Sequence, residues 1–180
     1  MKEADRRLRK TEAAIQKSFV AMVNLYGYDR LKLSDVINDA DINKSTFYLH
    51  YPNLLSVSYS IEDKLVSGCL DAYNSAGENQ KDRLMAVLAY VASNKKAVNA
   101  VLSVSEAHFF VKLERTFKPY FYEDTLDFPT KAGEEYTSTF LFSGVFGLVR
   151  EWIVSTKKVE SRQKFADAIL TLISAGPTQK

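Results

Sequence analysis

Apolar side chains recur at steps of three and four through almost every long segment of this chain, and that spacing commits it to helices. Leu8, Ile15, Phe19, Met22 and Tyr26 fall on one face of a first helix. Val57, Ile61, Leu65 and Cys69 form a second stripe at steps of four. Leu84, Val87, Leu88 and Val91 mark a third helix, Val98, Val101 and Leu102 a fourth, and Phe109, Leu113 and Phe117 a fifth. No run alternates with a period of two between hairpin turns, and no internal repeat is present. The expected fold class is all-α. With 180 residues, 46% of them hydrophobic, the chain can bury a sizeable core.

Punctuation residues set the expected boundaries. Gly27 stops the first helix, and the Ser34 hydroxyl is a candidate cap for a short helix through Val36, Ile37 and Ala40. A break at Asp41, Ile42 and Asn43 leads into residues 44–50, where Phe47 and Tyr51 recur four apart. Pro52 interrupts, and Asn53 opens a long helix reaching about Tyr73. Residues 74–81 have loop chemistry, Pro119 should end or kink its helix, and residues 124–133 look like a surface loop. Two last helices are expected over 134–156 and 160–174.

Composition excludes several classes. One cysteine, Cys69, rules out an intrachain disulfide, and with only His50 and His108 it leaves no zinc-type ligand cluster. No metal and no cofactor are expected, and a reducing cytoplasm fits. The first seventeen residues alternate charged and small side chains, unlike a secretory signal. The longest strongly apolar stretch, residues 139–149, has about half of the roughly 20 residues that a bilayer span needs, so no membrane partner is expected. Adjacent Glu134 and Glu135 do not face one site on a helix, and His108 with Glu106 has no nucleophile nearby in sequence, which argues against an enzyme.

The net charge of +2 is small, but its placement is uneven. Lys2, Arg6, Arg7, Arg9 and Lys10 crowd the first ten residues, whereas residues 51–180 carry 15 basic and 15 acidic side chains. Just beyond lies the pattern that a helix-turn-helix needs: two short helices, the second small enough to enter a major groove. Its exposed side would offer Asn43, Lys44, Ser45, Tyr48 and His50 to phosphates and base edges.

These residues resemble the tetracycline-repressor-like (TetR-type) family of bacterial regulators. The resemblance is carried by Gly27-Tyr28, by Leu33-Ser34-Asp35-Val36-Ile37, by Ala40, and by Ile42-Asn43-Lys44-Ser45-Thr46-Phe47-Tyr48 with His50-Tyr51. It implies an N-terminal three-helix head over residues 1–52 and a helical dimerisation and possible ligand-binding domain over 53–180. It implies a double-stranded DNA operator as partner, and Lys44, Thr46, Tyr48 and His50 as contacts or their support. Asn43, Ser45 and Ser34 join them as candidates, and Arg7 and Lys10 would reach phosphates beside the groove. Asp41 stands where the family usually has glycine, Lys32 where threonine is common, and Leu54 where many members carry lysine.

The segment from Gly144 through Gly147 to Trp152 looks like a Gly-x-x-Gly pattern of one subgroup's C-terminal domains. The expectation is a homodimer through the last two helices, with Gly144, Gly147, Trp152, Phe165, Ile169 and Leu172 at the interface and residues 139–149 buried on two sides. Phe109, Phe110, Phe117, Tyr120, Tyr136 and Phe140 are candidates to line a pocket for a small apolar or aromatic ligand. The whole reads as a homodimeric repressor released by such a ligand. The alternative is a helical protein-interaction module with a degenerate head.

Overall fold

The computed structural model describes residues 3–125, 134–155 and 161–175. Among them are eight α-helices, one 3-10 turn and no strand. By compactness the chain divides into residues 1–65 with 94–109, and residues 66–93 with 110–180.

In the first unit, α1 (Glu3–Tyr26) buries Ile15, Phe19 and Val23 at steps of four. Leu8 and Tyr26, expected on that stripe, lie toward the two ends of the helix and are exposed. Gly27 then adopts φ 79 and ψ 152, a region open only to glycine, and turns the chain into the 3-10 turn Tyr28–Arg30. Helix α2 (Leu33–Asp39) packs on α1. Its cap differs from expectation. Lys32 occupies the N-cap position, and its backbone N–H donates to Asp35 Oδ2 at 2.9 Å, so Ser34 lies inside the first turn.

Helix α3 (Lys44–His50) comes next, with Phe47 as its buried residue, and the long α4 (Leu54–Ser75) begins after Pro52. Asn53 caps α4 as expected: its Oδ1 accepts from Ser56 N–H at 2.9 Å, while Ser56 Oγ accepts from Asn53 N–H at 3.3 Å. Val57, Ile61 and Leu65 are buried along one face of α4. The same helix buries Glu62 completely, and the imidazole Nδ1 of His108 meets its Oε2 at 2.6 Å.

The second unit is built on α5 (Gln80–Ser93), α7 (Glu134–Val154) and α8 (Arg162–Ala175), with α8 packed on both of the others. Leu88, Leu141, Phe142, Ala166 and Ile169 form its core. Lys81 ties α5 to α8 through Asp167 at 2.7 Å, and Trp152 stacks on Phe165 at 5.7 Å between ring centres.

Helix α6 (Lys95–Thr125) contributes its first part to the first unit and the rest to the second. Ser105 breaks it with φ −159 and ψ 94, and the Ser105 hydroxyl accepts from His108 N–H at 3.3 Å, capping the second helical piece. The two separate apolar stripes in this region therefore correspond to two helical pieces. Pro119 does not end the second piece, which runs to Thr125. Pro119 and Arg115, whose carbonyl loses its bond, are both at least partly exposed, so water can donate to that carbonyl instead. The loop expected at 124–133 falls largely on residues 126–133, outside the described residues.

Candidate nucleic-acid interface

The link between α2 and α3 fixes how the second short helix is presented. Ile42 N–H donates to Ile37 O at 3.0 Å and Asp41 N–H to Asn38 O at 3.3 Å, the paired bonds of a Schellman motif. That motif needs a left-handed residue at its turn, and Asp41 supplies it with φ 52. Aspartate is among the side chains that tolerate this region best, so the family's usual glycine can be replaced without losing the turn.

Asn43 then caps α3. Its Oδ1 accepts from Thr46 N–H at 2.8 Å and from Ser45 Oγ at 2.7 Å. The side-chain oxygen of Asn43, a candidate DNA contact, is thus committed to starting the helix. Seven residues at about 1.5 Å each make a helix about 10 Å long, and an α-helix about 10 to 12 Å across with its side chains fits a groove about 12 Å wide. With Phe47 turned inward, Lys44, Ser45 and Tyr48 are exposed and Thr46 and His50 half-buried. Lys44 Nζ lies 6.0 Å from the Tyr48 ring centre, and Tyr48 packs edge-on against Phe47 at 5.6 Å.

Sequence reasoning missed Leu49, which is 82% exposed. Its signal was available: Phe47 and Tyr51 turn inward, so an apolar residue between them, half a turn away, breaks the period. On a groove-reading helix such a side chain suits the 5-methyl group of thymine. Tyr48 and Leu54 also line one shallow groove with Tyr28 and Leu33. Burial pushes the Tyr28 hydroxyl above its ordinary range.

Of the remaining candidates, Ser34 is exposed on α2. Arg7 and Lys10 are exposed on the first turns of α1, within the helix and not on a separate arm.

A polar cluster holds the end of α3 in place. Gln16 Nε2 donates to Tyr51 Oη at 2.7 Å and to Ser60 Oγ at 3.0 Å, joining α1, the residue after α3, and α4. Lys64 Nζ donates to Gln16 Oε1 at 2.9 Å and to Glu12 Oε1 at 2.8 Å. The Lys64 hydrogen bond holds the Glu12 carboxyl below its usual range, against the opposing effect of burial. These partners lie 35 to 52 residues apart, a separation no local pattern reveals.

In the second unit the dimer candidates divide. Gly144 and Leu172 are exposed, as is Gly147, and a Cβ added at either glycine meets nothing within 4 Å. Ile169 is 1% exposed and belongs to this chain's own core, while Trp152 and Phe165 stack on each other half-buried. Within one chain, helix α7 is covered on one side by its own unit. It turns Leu141 and Phe142 inward but leaves Tyr136, Phe140 and Leu148 exposed.

The same unit holds a partly open cavity of about 170 Å³. Of the pocket candidates, Phe117 and Tyr120 line it. Phe109 is buried in the first unit and Phe110 packs edge-on against Phe146, whereas Tyr136 and Phe140 sit on the surface. The aromatic content was visible in the sequence, but the side to which each helix turns was not. Cys69 also lines the cavity, and burial pushes its thiol up to about 12.

Residues 78–175 match a TetR-type family model described as the transcriptional regulator C-terminal region. No curated protein sequence matches the chain. Its fold is similar to that of a TetR transcriptional regulator from Streptococcus agalactiae, at 20% identity and a TM-score of 0.71, covering 94% of this chain and 97% of the other. It is also similar to the fatty acid degradation regulator FadR from Bacillus halodurans, at 16% identity and a TM-score of 0.64, covering 94% and 97%. A third similar structure is the dihydroxyacetone kinase operon activator DhaS, at 20% identity and a TM-score of 0.64, covering 92% and 94%.

Proposed function

The chain belongs to the TetR family of DNA-binding transcriptional regulators, and on that premise we propose that it is a homodimeric repressor whose α3 reads an operator and which a small ligand releases. The observation that carries this reading is α3 itself. A short helix, capped by Asn43 and anchored by Phe47, keeps Lys44, Ser45, Tyr48 and Leu49 exposed. Lys44 and Tyr48 take backbone phosphates, Leu49 and Ser45 face base edges, and His50 and Thr46 support them. Residues 1–52 are the DNA-binding part and 53–180 the regulatory part, a division by role and not by compactness. Of the two features that favour a degenerate head, Asp41 and Leu54, the first completes the Schellman turn, which supports the DNA-binding reading over an interaction module.

Dimerisation is supported by the exposed Tyr136, Phe140, Gly144, Gly147 and Leu148 on α7, with Leu172 on α8. A two-fold dimer covers such a face with its own copy and places two α3 helices on two half-sites. Each good base contact discriminates by only about 1 to 3 kcal/mol, so a single short helix is too weak a reader alone. The structurally similar DhaS is described as an activator, so the fold is compatible with either sign. Repression is the simpler mechanism, because covering a promoter needs no polymerase contact. No helix of the described residues is long and apolar enough to cross a membrane, which accords with work on chromosomal DNA in the cytoplasm.

Lys44→Ala and Tyr48→Phe test the assignment by fluorescence anisotropy on a selected duplex. Both should weaken binding while helicity and dimer mass stay unchanged, and Lys44→Ala should lower the salt slope by about one. Parent-like affinity in either variant would overturn that contact, and a monomeric mass in sedimentation would overturn the dimer.

A further inference from the structure

The cavity of the second unit has a chemistry from which its occupant's class can be argued. Among the described residues, none of the side chains that line it carries a charge. The polar groups among them are the Gln80 carboxamide, the Tyr73 and Tyr120 hydroxyls and the Cys69 thiol, and the rest of the wall is aliphatic or phenyl. Arg83 comes close, stacking over the Tyr73 ring at 4.9 Å, yet its Nε is bonded to the Gly77 carbonyl at 2.6 Å and it does not line the space.

We propose that this cavity binds a small uncharged molecule, an aromatic ring or short alkyl chain of about six to nine non-hydrogen atoms, and rejects anions of the same shape. This inference rests on the reading of the chain as a ligand-released regulator. Size follows from volume. An apolar cavity of about 150 Å³ stays dry and takes benzene, and 170 Å³ filled at the density of about 0.75 found in protein interiors accommodates a molecule about the size of indole. Charge follows from the wall. With no charged side chain among the described lining residues to serve as counter-ion, a carboxylate would enter only as its neutral acid. For a carboxyl group that titrates near 4, about one molecule in a thousand is neutral at pH 7, so affinity should fall about 1,000-fold relative to a neutral isostere.

The test measures binding of toluene, indole and benzoate to the full-length protein at pH 7 by calorimetry and thermal shift, without DNA. Toluene and indole should bind and raise the midpoint, and benzoate should do neither at the same concentration. Val87→Phe and, from another helix, Val145→Phe fill the cavity and should abolish binding without lowering the midpoint of the free protein. Failure of both neutral probes, benzoate binding within tenfold of toluene, or binding retained in a folded filled variant would overturn the proposal. Adding operator DNA separates the two readings. Neutral probes that bind but leave the operator complex intact contradict ligand release and leave the ligand class standing.

Discussion

His108→Ala should destabilise the protein by taking a hydrogen-bond partner from a buried carboxyl group. Glu62 is fully buried on α4, and His108 Nδ1 meets its Oε2 at 2.6 Å while Tyr59 lies against the imidazole at 4.4 Å between ring centres. Removing the imidazole takes a donor from a desolvated acceptor, which costs about 1 to 3 kcal/mol. The His108 side chain is 42% exposed, so water can enter the vacated space and hold the loss to the lower half of that range. At about 2 to 4 °C per kcal/mol for a protein of this length, the midpoint should fall by roughly 2 to 8 °C.

Glu62→Gln keeps an acceptor for Nδ1 and should lose less. The double variant Glu62→Leu/His108→Ala removes both members of the pair and should lose less than the two single variants together. Urea unfolding of the parent, Glu62→Leu, His108→Ala and the double variant gives the coupling energy directly. If the two single losses simply add in the double variant, the pair does not stabilise α4 against α6 in the way described.

Two further outcomes rest on single residues. Cys69 has its thiol raised to about 12 because burial disfavours the thiolate, so iodoacetamide at pH 8 should label it only on unfolding; native labelling at the denatured rate would contradict its burial. Asp41→Gly should leave stability within about 1 kcal/mol of the parent, whereas Asp41→Val at φ 52 should lose about 1 to 2 kcal/mol in urea unfolding; equal stability of the two variants would refute the left-handed turn.

The all-helical fold was legible because a step of four is a local rule. Val57, Ile61, Leu65 and Cys69 are all buried, as their spacing requires. Helix α3 was legible for the same reason, through Asn43 before it and Phe47 and Tyr51 on one side. What the sequence hid depends on neighbours distant in the chain. Leu8 and Tyr26 share the period of Ile15 and Phe19 but stay about half exposed. Ser34 is a better capping residue than Lys32, yet Asp35 bonds back to the Lys32 N–H and starts the helix earlier. The cavity wall was hidden too, since Phe109 and Phe117 share a stripe and only the second reaches it. On α7, period alone did not separate Phe142, turned inward, from Phe140, left exposed.

The central claim is that α3 reads duplex DNA as one half of a dimer. Selection from a random duplex pool, with affinity then measured across salt concentration, tests it most directly. The enriched sequence should be a pseudo-palindrome with half-sites about one helical turn or a multiple apart, bound with a steep salt dependence and much more tightly than scrambled duplex. Failure to enrich any sequence, or binding unchanged by salt, would contradict it.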